Sequence, residues 1–89
     1  MTYCVFLHLK TVKELQGLDE PSRSRVRDSL MELRTAPTQV GKLLKGSKYW
    51  SLRVGDYRAI YQISEDEGKI VVLFIGHRSD VYDDFSRAI

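Results

Sequence analysis

The sequence predicts an α+β fold: a two-helix hairpin packed on a mostly antiparallel four-stranded sheet, ordered β-α-α-β-β-β with a short C-terminal helix or tail. Three observations carry this expectation. Two apolar runs near the ends of the chain, YCVFLHL at 3–9 and KIVVLFIG at 69–76, are too short for most helices and read as buried strands. Between them, two stretches repeat apolar residues at helical spacing. The third observation is YWSLRVGDYRAIY at 49–61, which alternates about a Gly-Asp turn as a hairpin does.

Taken in order, the first run is expected to be a strand buried on both faces and to end near Lys10. Thr11 followed by Glu14 has the pattern of a capping box, and Val12, Leu15 and Leu18 continue it as a short helix closed by Gly17 or by the break at 19–21. Over 22–35, Val26, Leu30 and Leu33 form a narrow apolar stripe. Arg23, Arg27 and Arg34 flank that stripe and read as a solvated edge whose stems cover the seam, in preference to a grip on RNA or an acidic partner. Pro37 stops this helix, and 36–48, with Gly41 and Gly46, reads as a loop that delivers Lys42, Lys45 and Lys48 to the next strand. The hairpin follows, then an acidic SEDEG turn and a central strand at 69–76. In the tail from His77, the spacing of Val81, Phe85 and Ala88 suits one or two helical turns. The first strand is separated from the meander by two helices, enough chain for a crossover that seats it beside the central strand.

The 89 residues suit a single domain, 1–89, with 43% apolar and 29% charged residues, a globular balance. The net charge of +2 is small, but 42–58 holds five basic residues against Asp56 alone, an excess of +4 that leaves the remainder at −2. A local excess of this kind points to a local anionic partner such as a phosphate or an acidic protein surface. The single Cys4 cannot form an internal disulfide and, lying in an apolar run, is expected to be a buried, inert thiol. One Cys and two distant His give no metal-ligand spacing, and no 18-residue apolar run or signal segment occurs, so the expectation is a cytosolic protein with no membrane partner.

A two-residue, glycine-first turn at Gly55-Asp56 pairs Val54 with Tyr57, Arg53 with Arg58, Leu52 with Ala59 and Trp50 with Tyr61. Alternation then puts Trp50, Leu52, Val54, Tyr57, Ala59 and Tyr61 on the face that accepts the helices. Tyr49, Ser51, Arg53, Arg58, Ile60 and Gln62 share the uncovered face. Arg53 and Arg58 become cross-strand neighbours of like charge, a juxtaposition that costs a few tenths of a kcal/mol unless an anion lies between them. A carboxylate from Asp56 or the acidic turn would serve; so would a phosphate, which two convergent guanidinium forks hold well. The strand at 69–76 hands His77 and Arg78 to its carboxyl end, and Tyr82 follows. The expected cluster is therefore Arg53, Arg58, Arg78 and Tyr82, with His77 or Lys48 beside it. Cationic stabilisation of phosphate chemistry suits this set better than metal-dependent hydrolysis.

The stretch KLLKGSKYWSLRVGDYRAIYQI, followed by VVLFIGHRSDVY, resembles the RelE/ParE toxin superfamily, and in particular its RelE branch, over nearly the whole chain. The most recognisable residues are Leu52, Arg53, Gly55, Tyr57, Arg58 and Tyr61, then Gly76, His77, Arg78, Val81 and Tyr82. The resemblance implies a toxin of a type II toxin-antitoxin system that enters the ribosomal A site. There it cuts mRNA without metal or small-molecule cofactor, through attack by the neighbouring 2′-hydroxyl. By position, Arg58 and Arg78 are implied to hold the scissile phosphate, Tyr82 to lie near the nucleophile or stack on a base, and Arg53 to add positive charge. A RelB-like antitoxin is the implied partner, with an amphipathic helix on the helical side and an acidic part against the arginine face. This chain has Tyr49 and Ser51 where studied members carry strand lysines, which leaves Lys45 or Lys48 from the loop, or His77, for proton transfer and phosphate binding. Two alternatives stay open: a ParE-like inhibitor of DNA gyrase, and a catalytically weak relic that binds its antitoxin.

Overall fold

A computed structural model describes residues 2–77, so the expected tail, with Arg78, Val81, Tyr82, Phe85 and Ala88, lies outside the described residues. In chain order the elements are β1 (Cys4–Leu7), α1 (Leu9–Gln16), α2 (Ser22–Glu32), α3 (Pro37–Val40), β2 (Lys42–Leu43), β3 (Tyr49–Val54), β4 (Tyr57–Ser64) and β5 (Lys69–His77). The strands form one sheet in the order β1-β5-β4-β3-β2, in which β1 runs parallel to β5 and the other pairs are antiparallel. The α+β class and the crossover that seats β1 beside β5 are as the sequence predicts. The strand count is five where four were expected.

The fifth strand is β2, from the segment read as a loop. Pro37 both follows α2 and opens the one-turn α3, since its fixed φ and missing N–H suit a first helical position. Beyond Gly41 the chain extends, and Lys42 pairs with Ser51 and Leu43 with Trp50. Residues 44–48 turn it back: Ser47 donates from its N–H and its hydroxyl to the Leu44 carbonyl, its oxygen accepts from the Tyr49 N–H, and Gly46 takes φ 76°. Two residues are too few for any periodicity to reveal.

Helices cover one face of the sheet. Val26, Leu30 and Leu33 from α2 and the residue after it pack on Leu52, Ala59, Tyr61, Ile70, Val72 and Ile75, all buried. The valine, leucine and isoleucine side chains among them contribute about 1.5 to 3 kcal/mol each on full burial. Of the flanking arginines, Arg27 and Arg34 are exposed and Arg23 is half-buried, with Arg23 3.4 Å from Glu20 and Arg27 4.0 Å from Asp28.

Three local expectations are overturned. β1 is an edge strand, half-exposed in alternation, and Phe6 keeps 53% of its surface in solvent. Cys4 is accordingly exposed and not buried. Helix α1 begins at Leu9 with no side-chain cap, because Thr11 is fully buried and its hydroxyl donates to the Val72 carbonyl at 3.1 Å. That same carbonyl accepts the His8 N–H at 3.3 Å, so one acceptor ties the end of β1 and the start of α1 to β5.

The unbroken apolar run of β5 resolves into two faces through a bulge. Ile60 pairs with Phe74 but Tyr61 pairs with Val72, leaving Leu73 as the additional residue. The bulge lets Val72 and Ile75, three positions apart, both enter the core. The open face is not bare either, for Ile60 is fully buried there beneath Leu44, Tyr49 and Phe74. Among the described residues, no helix is long and apolar enough to cross a membrane.

Tyr61 ties the sheet to the new segment. It is fully buried, and its hydroxyl donates to the Pro37 carbonyl. Gly41 lies against that hydroxyl: a Cβ there would collide with the Tyr61 Oη and stand 2.9 Å from the Ser51 carbonyl oxygen. The φ of Gly41, −108°, suits any residue, so the demand is for space. Gly41→Ala is expected to cost about 1 to 3 kcal/mol by overpacking, measured as a lowered urea midpoint.

Burial pushes the Tyr61 hydroxyl up to about 12, against a smaller opposing pull from a backbone hydrogen bond of Gly41. The folded state therefore favours the protonated phenol. Its contribution is full below the ordinary value of about 10 and is lost as pH rises through about 12. Tyr61→Phe should lose about 1 kcal/mol at neutral pH, and its stability should fall less steeply than wild type between those values. Parallel stability curves for the two proteins across that range would refute the assignment.

Candidate anion site

The turn between β3 and β4 sets the site. Gly55 has φ 60° and no other residue of the turn has positive φ, as a glycine-first hairpin turn requires. The register follows: Val54 opposes Tyr57, Arg53 opposes Arg58, Leu52 opposes Ala59 and Trp50 opposes Tyr61. Every predicted pair is present.

On the open face the two guanidinium groups point apart. Arg53 Nε donates to the Gly55 carbonyl at 3.3 Å, which draws its head toward the turn. Arg58 Nη1 donates to Ser51 Oγ at 2.8 Å, which draws its head the other way along β3. Both of these acceptors are neutral. The acidic turn does not supply a counter-charge to Arg53: among the described residues Arg53 makes no ion pair, and Glu67 lies 2.9 Å from Lys69 instead. That hydrogen bond to Lys69 holds the Glu67 carboxyl below the usual carboxylate range.

A concavity of about 240 Å³ opens here, lined by Val40, Lys42, Ser51, Arg53 and Arg58. Its floor is Ser51, only 5% exposed, and its walls come from the end of α3 and from β2, β3 and β4. A second concavity of equal volume, at His8, Lys10, Leu73 and Phe74, has one lysine, whose Nζ already sits 5.1 Å from the centre of the Phe74 ring. Only the first gathers several cations around a neutral floor, which is what binding an anion requires.

Of the residues singled out from sequence, Arg53 and Arg58 are brought together in this concavity. Lys45 and Lys48 are exposed on the β2–β3 turn and do not line it; Lys48 Nζ lies 5.8 Å from the centre of the Tyr49 ring. His77 opposes Tyr57 and meets it edge-on at 6.1 Å. Tyr57 packs toward the helical core, so this register puts His77 on the helix side, while Gly76 opposes Arg58. Arg78 and Tyr82 lie outside the described residues. Sequence reasoning missed Lys42 as a site residue, because its position depends on a two-residue strand.

A model of the family described as "ParE toxin of type II toxin-antitoxin system, parDE" matches residues 5–82. The chain belongs to the ParE toxin family. It is thus a type II toxin of the RelE/ParE superfamily, the group its sequence resembles. Toxin RelG of Mycobacterium tuberculosis is 36% identical over 53 residues, covering 57% of this chain and 61% of RelG, so the match spans less than two thirds of that relative. The toxin of the M. tuberculosis RelBE2 toxin-antitoxin complex superposes with a TM-score of 0.80 at 27% identity, over 88% of this chain and 100% of its own. The archaeal RelE-RelB complex from Pyrococcus horikoshii gives 0.74 at 28% identity, over 88% and 97%. Free Escherichia coli RelE, as an arginine double mutant, gives 0.80 at 22% identity over 100% and 99%, a likeness of fold.

Arg53 and Arg58 are like charges set directly opposite each other on adjacent strands. Arg53→Thr should raise stability by about 0.2 to 1 kcal/mol at low salt, since it removes a like-charge cross-strand pair and adds a β-branched residue. The gain should shrink at high salt as the repulsion is screened. Equal or lower stability of the variant at low salt would contradict this account.

Proposed function

We propose that this toxin is a RelE-like, ribosome-dependent mRNA endonuclease. The observation that carries the proposal is the cross-strand pair Arg53 and Arg58, which line one concavity floored by Ser51 and hydrogen-bond to Gly55 and Ser51 respectively. Arginine stays protonated at any working pH and presents a planar fork of donors, so the pair offers a fixed positive field to a phosphodiester.

In the proposed reaction the 2′-hydroxyl attacks the adjacent phosphorus and the bond to the 5′-oxygen of the next nucleotide breaks. The products are a 2′,3′-cyclic phosphate and a free 5′-hydroxyl; one group takes the 2′ proton and another, or the same one by relay, returns a proton to the leaving oxygen. Charge grows on the non-bridging oxygens at the transition state, and Arg58, with Arg53 beside it, neutralises it there. Arg78 is proposed as a further phosphate ligand and Tyr82 as a group near the nucleophile, with Lys45 and Lys48 meeting flanking phosphates. His77 is proposed for proton transfer only if the bound RNA reaches around the end of β5 to the helix side.

An antitoxin is the proposed protein partner. The similar toxins of M. tuberculosis and P. horikoshii occur in complexes with antitoxins. A ribosomal target would put the protein in the cytoplasm. The second reading, inhibition of DNA gyrase, is favoured by the ParE description of the matching family, whereas RelG and the M. tuberculosis and P. horikoshii structures, at 27% and 28% identity, favour the RelE branch.

The purified toxin added to a translation reaction should cut mRNA on ribosomes, leaving cyclic phosphate ends. Arg58→Ala should slow the cut by about 10² to 10³, the usual loss for one preorganised donor. Intact mRNA, together with impaired supercoiling in a gyrase assay, would decide for the second reading.

A further inference from the structure

Lys42 enters the anion site from the strand that the sequence conceals. It is paired directly with Ser51, and residues opposed in an antiparallel ladder project to the same face. It therefore joins Arg53 and Arg58 on the open face, and all three line the same concavity with Val40 and Ser51. Three adjacent strands each supply one cation.

The ammonium of Lys42 is also uncommitted among the described residues. Lys69 is held by Glu67 at 2.9 Å, and Lys10 and Lys48 sit over aromatic rings. Lys42 is exposed and has no carboxylate within ion-pairing distance among the described residues. Gly41 confines this strand, because the space for a Cβ there is taken by the Tyr61 hydroxyl. The backbone that carries Lys42 is therefore fixed to the core while its side chain stays free to reach a ligand.

We infer that Lys42 is a phosphate ligand of this site and binds the RNA backbone together with Arg53 and Arg58. The inference rests on the proposed RNA-cleaving function and adds a residue to it. A lysine suits the place: as a compact point charge it meets a single phosphate oxygen from any direction, while the arginine forks impose geometry. Its role is binding and requires no change of protonation.

The test measures affinity for a short 2′-O-methyl RNA, which lacks the attacking hydroxyl, by fluorescence anisotropy over a range of salt. Each phosphate contact to single-stranded RNA contributes about 0.7 to the slope of log affinity against log salt. Lys42→Gln should lower the slope by about 0.7, and Lys42→Arg should keep it. Lys13→Gln, which removes an equal charge from an exposed position on α1 outside the concavity, should also keep it. A wild-type slope in Lys42→Gln, or an equal drop in Lys13→Gln, overturns the role of Lys42 while leaving RNA binding intact. Salt-independent binding by the wild type overturns the RNA reading itself, and this inference with it.

Discussion

The register between β3 and β4 is the constraint on which the rest depends. Side chains alternate along a strand, so a slip of one residue would turn Leu52, Ala59 and Tyr61 out to solvent and Arg53 and Arg58 into the helices. Moving two guanidinium groups from the open face into an apolar core would cost far more than a domain of this size has in reserve. The core therefore enforces the site: the same alternation that buries the apolar set delivers the two arginines to the opposite face. Gly55 closes the turn at one end, and the packing of Trp50 against Tyr61, ring centres 6.4 Å apart, secures the other.

Tyr61 extends that control beyond the hairpin. Its phenol reaches from β4 to the Pro37 carbonyl and fills the space beside Gly41, so the α3–β2 segment is fastened by a core residue and not by its own few contacts. Without that fastening β2, two residues long, would have little to hold it. Core and site are thus one mechanical unit, with a buried hydroxyl as the joint between them.

How much of this was legible in the sequence depends on the length scale of each signal. The hairpin was fully legible, because a Gly-Asp turn and six alternating residues on either side leave one sensible pairing. The helix α2 was legible through Val26, Leu30 and Leu33. The first apolar run misled, since periodicity separates strand from helix but says nothing of whether a strand lies inside a sheet or at its edge; Phe6 and Cys4 pay the difference in exposure. Thr11 misled because a hydroxyl that could cap its own helix found a carbonyl 61 residues away. Lys42 was visible as charge within a basic stretch, but its direction came from pairing with Ser51, a long-range fact that no local pattern encodes. For His77 the sequence located the strand end and not the face.

The parallel pairing of β1 with β5 bears on how the chain assembles. Cys4 opposes Lys69 and Leu7 opposes Val72, so β1 is matched to β5, the strand farthest from it along the described residues. Such distant closure is entropically costly, and contacts of this span slow folding. β5 also pairs along the whole of β4, whose partner β3 carries the other half of the arginine pair. β1 must therefore wait for β5 before it can pair, and the sheet behind the anion site is complete only when these two distant strands have met. The arginine pair thus stands on a sheet whose last closure joins its two most distant strands in sequence.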